Sequence, residues 1–322
     1  MFRRLKNVPR VEARAALTSL AVGTILLSVK FTAYFLTGSA AIFSDAVESI
    51  VNVLAAAVAA WSLGLAHTPA DADHPYGHGK VEFMSAGFEG GMILLAGVVM
   101  SFKAMDSLFL HPAEMEKLGL GMVLLVAAVC VNGGVGAYLV RLGKATGALS
   151  LEADGHHLMS DAVTSLVAAV ALLAMSATKW RWLDPAGALV IAVYVSRVGV
   201  RLLRRSAAGL MDEQDNSHER LMIQILNAHV GPAGAEPRIC GYHKLRHRHS
   251  GRYVWVDVHF TVAAGLSVRD GHQVASVIEG EIERKLGQAD ATVHIEPCPG
   301  CELCRPEAMQ LGQDKGVADL AK

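Results

Sequence analysis

SDAVESIVNVLAAAVAAW, residues 44–61, has the apolar body of a membrane-crossing helix, yet it opens with Asp45 and Glu48 and adds Asn52 one turn later. Hydrocarbon offers such groups no partner, and a carboxylate at mid-membrane costs about 2.5–3.5 kcal/mol on insertion scales. Polar side chains persist there when they face a bundle interior and meet a proton, a cation or another polar group. Glu48 and Asn52 are four residues apart and so share one face of a helix. The stretch therefore predicts a polar site inside a helical bundle.

Composition agrees with a membrane chain that carries a polar appendage. Of 322 residues, 52% are hydrophobic and 18% charged, with a mean hydropathy of +0.35. That is too apolar for an ordinary soluble domain and too charged for a chain that is membrane throughout. A formal net charge of −1 gives no reason to expect nucleic acid. Five cysteines without evenly spaced pairs do not form a secreted disulfide framework. The basic start, MFRRLKNVPRVEAR, leads into a full-length apolar span with no small-residue cleavage site, so it reads as the flank of a first helix.

Six apolar segments, near 15–36, 40–65, 84–110, 118–141, 155–177 and 184–203, each approach the roughly 20 residues that cross a bilayer core. Arg3, Arg4, Lys6, Arg10 and Arg14 precede the first. Lys80, Arg141 and Lys144 lie in the second and fourth loops, and Arg197, Arg201, Arg204 and Arg205 end the sixth. Alternating spans put all of them on one side, the cytoplasmic one, together with both termini. Glycines in GFEGGMILLAGVV and VNGGVGAYLV favour close helix packing in the third and fourth spans. Cys130, in the fourth span, is expected in packing, and Lys30 in the first is buried or snorkels.

The fifth span begins LEADGHHLMSDAVTSLV, where His157 and Asp161 are also four apart. Two helices that each offer an i, i+4 pair of oxygen or imidazole donors can enclose a four-coordinate divalent cation. A structural hydrogen-bond cluster is the alternative. A second register uses Asp45 with Glu48 and leaves Asn52 lining the path. His156 adjoins His157 but has no acid four residues on. A deprotonated imidazole and carboxylates bind metal in competition with protons, and that competition suffices for antiport if the site faces each side in turn.

FSDAVESIVN, HHLMSD and DADHPYGHGKVE together resemble the cation diffusion facilitator family of divalent metal/proton antiporters, over about residues 10–298. The resemblance implies a transport site of Glu48, Asn52, His157 and Asp161. It implies a second metal site in the loop, on Asp71, His74 and His78. It also implies ligands in the soluble domain at His243, His259, His272, His294 and Glu296, where metal ties two protomers into a homodimer. Lys80 resembles a family lysine that pairs with an acid after the sixth span, here Asp212; as a sequence feature it also serves as a positive-inside residue. Zinc-transporting members carry Asp or His and then Asp on the second helix. Glu48 and Asn52 depart from that, which opens the cargo to Fe2+, Mn2+, Co2+ and Cd2+ beside Zn2+. Family habit puts such a protein in a bacterial inner membrane.

After the polar DEQDNS, HERLMIQILNAHV has the spacing of an amphipathic helix. RYVWVDVHFTV alternates as a strand, with Val254, Val256, Val258, Phe260 and Val262 on one face. SVRDGHQVASVIEGEIERKLG opens on a capping-box-like Ser267 and Asp270, and ATVHIEP closes as a strand. His247 and His249, in LRHRHSGR, read as surface histidines. CPGCELC places Cys298, Cys301 and Cys304 at the spacing of thiolate ligands for a soft metal, with disulfides or unbound thiols as alternatives. The expected fold is a membrane α-helical bundle of six transmembrane helices (1–210) followed by a small cytoplasmic α+β metallochaperone-like domain (211–300) and a Cys-containing disordered tail (301–322).

The expected function is proton-coupled efflux of divalent metal. A non-transporting metal sensor or assembly scaffold on the same fold is the alternative. An intramembrane metallohydrolase is disfavoured, because no H-E-x-x-H is present.

Overall fold

A computed structural model describes residues 8–37, 40–109, 120–178, 183–298 and 300, with the side chains of several helical stretches, 40–48 among them, outside the description. The HPAEMEK and KWRW connections, Cys301 and Cys304 lie outside the described residues, as do the side chains of Asp45 and Glu48. The chain divides into two compact units, Met1–Met211 and Asp212–Lys322.

Among the described residues, the first unit holds six long helices: α1 (Arg10–Thr37), α2 (Ala40–Ala66), α3 (Val81–Phe109), α4 (Leu120–Thr146), α5 (Leu149–Thr178) and α6 (Leu183–Leu210). Among the described residues, four stretches are long and apolar enough to cross a membrane: Arg10–Thr32, Val81–Asp106, Val126–Thr146 and Pro185–Leu210. Helix α2 adds a shorter apolar stretch, Asn52–Ala66. The six expected spans are thus matched by length and apolarity in four, and the first turns of α5 are rich in buried acids and histidine instead.

Helices pair through glycine. A Cβ on Gly199 of α6 would lie 2.7 Å from the backbone nitrogen of Leu94 and 2.9 Å from the carbonyl oxygen of Gly90, both on α3. On α5, a Cβ at Gly155 would come within 2.7 Å of the Val140 nitrogen and 2.9 Å of the Gly136 carbonyl of α4. Only a hydrogen at these positions lets the backbones approach this closely. Around the pairs, Leu63, Leu139, Leu151 and Leu158 form one buried cluster, and Phe83, Ile93, Ile191 and Leu202 form another. Lys30 is buried, whereas Cys130, expected in packing, is on an exposed face of α4.

The second unit runs α7 (Asn216–His229), β1 (Gly241–Ser250), β2 (Tyr253–Ala263), α8 (Val268–Leu286) and β3 (Ala289–Cys298). The sheet order is β1-β2-β3, with β1 antiparallel and β3 parallel to β2. Buried and half-buried residues alternate along all of β2, and Val254 through Val262 pack against Met222 and Leu226 of α7 and Ile278 and Ile282 of α8. Ser267 caps α8: its Oγ accepts from the Asp270 amide at 3.2 Å and donates to the Asp270 carboxylate at 2.6 Å. Helix α7 begins earlier than its apolar spacing suggested, because Asp215 accepts from the amides of Ser217 and His218 as its N-cap.

Gly199→Leu is expected to separate α3 from α6 and lower stability by about 1–3 kcal/mol, the usual range for overpacking. A thermal shift in detergent, read by fluorescence-detected gel filtration, checks this; an unchanged midpoint would refute the close approach.

Candidate metal centres

Three groups of oxygen and imidazole donors form, each from a different kind of local structure. In the bundle, α2 and α5 bring Asn52 to His157 and Asp161. The Asn52 Nδ2 donates to Asp161 Oδ2 at 2.6 Å, and His157 Nε2 lies 3.0 Å from Asn52 Oδ1. His157 Nε2 and Asp161 Oδ2 are 4.0 Å apart, and His157 is 6% exposed. A carboxylate can only accept, so it takes the amide NH2 and turns the amide oxygen to the ring; His157 Nε2 must then carry a proton. Three residues placed four apart or across two helices in the sequence are therefore adjacent here. Glu48 is one turn before Asn52 on α2, with its side chain outside the described residues.

Further buried acids, missed in the sequence, lie on α5 and α3. Asp154 is buried with neither oxygen hydrogen-bonded among the described residues, and Glu89 is fully buried, held only by a 3.5 Å bond from Ser85. Glu152 is buried too, salt-bridged to Arg205 at 2.7 Å and 3.8 Å from His156. The signal was present in LEADGHHLMSD: Asp154, His157 and Asp161 follow at intervals of three and four, one helical face.

The loop between α2 and α3 folds around Asp71. Its Oδ1 accepts from the amides of Asp73 at 3.1 Å and His74 at 2.7 Å, while Gly77 takes a positive φ of 77° that turns the chain back. His74 Nδ1 is then 3.1 Å from Asp71 Oδ1, and His78 Nε2 is 3.3 Å from Oδ2. Donor atoms of Asp71, His74 and His78 all lie within 4.8 Å of one another, a spacing that can hold a metal ion. The backbone amide of His74, foremost, holds the Asp71 carboxyl below its usual range, so it stays ionised as pH falls.

The third group is built by sheet register. His243 of β1 pairs with His259 of β2, which pairs with His294 of β3, so three imidazoles form a row across the sheet. Glu296, two residues after His294 and thus on the same face, lies 2.8 Å from His259 Nδ1 and 3.3 Å from His243 Nε2. His294 Nε2 is 3.8 Å away. Donor atoms of His243, His259 and Glu296 lie within 4.8 Å of one another. The hydrogen bond from His259, foremost, keeps the Glu296 carboxyl below its usual range. His272 is exposed on α8 and is not part of this group within one chain. Cys298 ends β3, paired with Ala263. Lys80 and Asp212 belong to the two separate units.

Comparison with known proteins gives a consistent picture. Residues 16–211 match the cation efflux transmembrane domain, and residues 233–298 match the cytoplasmic domain of cation efflux proteins. An uncharacterized transporter of Synechocystis sp. is 36% identical over 288 residues, covering 89% of this chain and 91% of its own. The cation-efflux pump FieF of Shewanella oneidensis is 28% identical over 283 residues (88% and 93%), and that of Escherichia coli K12 is 27% identical over 290 residues (90% and 94%).

His78→Ala is expected to cost the purified protein one bound Zn2+ per chain after dialysis at pH 7, counted by elemental analysis. Since the Asp71 carboxyl is held below its usual range, mild acidification is expected to leave that ligand ionised. An Asp71→Asn protein that kept its full metal content would remove the carboxylate from the site.

Proposed function

Because this chain belongs to the cation diffusion facilitator family of membrane cation efflux transporters, we propose that it expels a divalent transition-metal cation in exchange for protons, as a homodimer. In this reading six helices span a bacterial inner membrane and both termini are cytoplasmic. Zn2+ is the first candidate cargo, with Fe2+, Mn2+, Co2+ and Cd2+ admitted by a site containing one neutral amide ligand.

The observation that supports this is the chain of contacts Asp161–Asn52–His157 between α2 and α5. A protein that needed only to tie two helices together would be served by one hydrogen bond. Here the imidazole nitrogen best placed for a metal holds a proton against the Asn52 oxygen, so a cation binding at Nε2 has to displace it. His157 Nδ1 is buried and has no hydrogen-bond partner among the described residues, so the ring has no alternative acceptor to stabilise that proton. From a doubly protonated ring, metal at Nε2 releases one proton and leaves the other on Nδ1; from the neutral ring the Nε2 proton only moves to Nδ1, and the exchanged protons then come from the carboxylates. Glu48 would add the fourth ligand and a second titrating group. The Glu296 row, on the sheet face away from the helices, suits a subunit interface, where metal would join two protomers and regulate transport.

Proteoliposomes with an internal metal-sensitive dye test the proposal. Asp161→Ala is expected to reduce Zn2+ flux at least tenfold, and collapsing the pH gradient should slow the wild type comparably. Asn52→Asp, which adds a charge, should tighten Zn2+ binding and narrow selectivity against Mn2+. Flux indifferent to Asp161→Ala would move the site elsewhere. Binding without flux under any gradient would make the chain a metal sensor, the alternative that the neutral Asn52 ligand leaves open.

A further inference from the structure

Strand β1 carries a second set of histidines on its other face. Before residue 244 the pairing places His243 opposite His259, on the face of the Glu296 row. Between His243 and Arg246 the register shifts by one residue, with Lys244 at a positive φ of 52°. A single extra residue reverses the side-chain parity of everything after it. His247 and His249 therefore pair with Val256 and Val254, on the face that packs against the helices. His247, expected at the surface, is only 3% exposed, and His249 is half-buried.

The first turn of α7 lies over this end of the strand and brings His218. The His218 and His249 ring centroids are 5.2 Å apart, His247 and His249 5.7 Å, and His218 and His247 6.4 Å. Extending a zinc–nitrogen bond of about 2.0–2.1 Å to the ring centres puts two imidazoles on a tetrahedral ion roughly 5 Å apart, centroid to centroid. His218 Nδ1, His247 Nδ1 and His249 Nε2 are all buried without a hydrogen-bond partner. Three neighbouring imidazoles that each leave a buried nitrogen unsatisfied are uncommon; their donor atoms do not all fall within the 4.8 Å that the Asp71 and Glu296 groups meet, so a shared ion requires the His247 ring to turn.

We propose that His218, His247 and His249 form a divalent transition-metal site that clamps the start of α7 to β1, separate from the Glu296 row. The lone pairs of His218 Nδ1 and His249 Nε2 are the first two ligands. His247 Nε2 accepts the Asp215 backbone N–H at 2.9 Å; its ring becomes the third ligand by turning off that amide, which is left to solvent. Water fills the fourth position. Desolvation, foremost, and the neighbouring imidazoles lower the pKa of both His247 and His249, so the rings are neutral donors at physiological pH. The carboxylates of Asp215 and Glu219 act on His247 in the opposite sense, as they would on a bound cation. Three imidazoles suit Zn2+, Co2+ or Ni2+ better than Mg2+ or Ca2+. Since α7 starts just after α6 ends at Leu210, such a clamp would fix the first turn of the soluble unit where the chain leaves the membrane helices.

The test reads bound metal rather than flux, so it stands or falls apart from the transport proposal. Full-length protein in detergent is dialysed against buffered Zn2+ or Co2+, and metal per chain is counted for wild type and for a His218→Gln/His249→Gln protein. The double variant is expected to hold one ion fewer per chain, to lose part of the Co2+ visible absorption, and to match the wild type in circular dichroism in the presence of chelator. Equal metal content in a folded variant would overturn the site. Should the variant not fold, diethylpyrocarbonate labelling of the wild type decides: saturating Zn2+ protects His218 and His249 if they are ligands, and unchanged labelling at both refutes the proposal.

Discussion

The bundle depends on one amide that accepts from one side and donates to the other. Asn52 stands between a carboxylate and an imidazole, and no side chain other than an amide presents a strong donor and a strong acceptor side by side at that reach. Replace it with a second carboxylate and, without a cation, two acceptors face each other across α2 and α5 in a low-dielectric interior. The amide thus lets α2 and α5 close with no cation between them, Asp161 Oδ2 and His157 Nε2 each paired to Asn52. The glycines of α4 and α5 serve the same end. By letting these helices approach to backbone contact, Gly136 and Gly155 fix the helix that carries His157 and Asp161.

What the sequence discloses depends on whether a property is local. Spacing is local, so the pairing of residues four apart on α5, the alternation of β2 and the cap at Ser267 could all be read directly. Apolar spans are nearly as legible, but the acids at the start of α5 break the pattern. Their burial depends on α3 and α6, where Glu89 and Arg205 stand, far away in the chain. Cys130 went wrong for a related reason: an apolar helix in lipid has no hydrophobic reason to turn a small residue inward, so composition cannot say which face packs.

The histidines of β1 were the hardest to place, and the cause is specific. Counted by twos from His243, positions 245, 247 and 249 would fall on the same, solvent-facing side. One bulge moves Leu245 into contact with the core and takes His247 and His249 with it. No glycine marks the bulge; Lys244 holds the left-handed conformation itself. A strand with four alternating polar residues has little hydrophobic pattern to fix its register, and here the core side of β2 fixes it instead.

The clusters also differ in charge, and that difference bears on what each can do with a cation. Asp71, Asp161 and Glu296 each put a carboxylate against imidazole, so a metal ion bound there would enter a place already negative and compete with protons. Strong charge neutralisation favours entry, while proton competition favours release, and a transport or sensing site needs both. The His218, His247 and His249 trio has no carboxylate among its ligands. A cation there is held by neutral donors, with the Asp215 and Glu219 carboxylates acting from outside the ligand set, and such donors discriminate against hard ions. That is the chemistry of a fastener, here holding the first turn of α7 to β1.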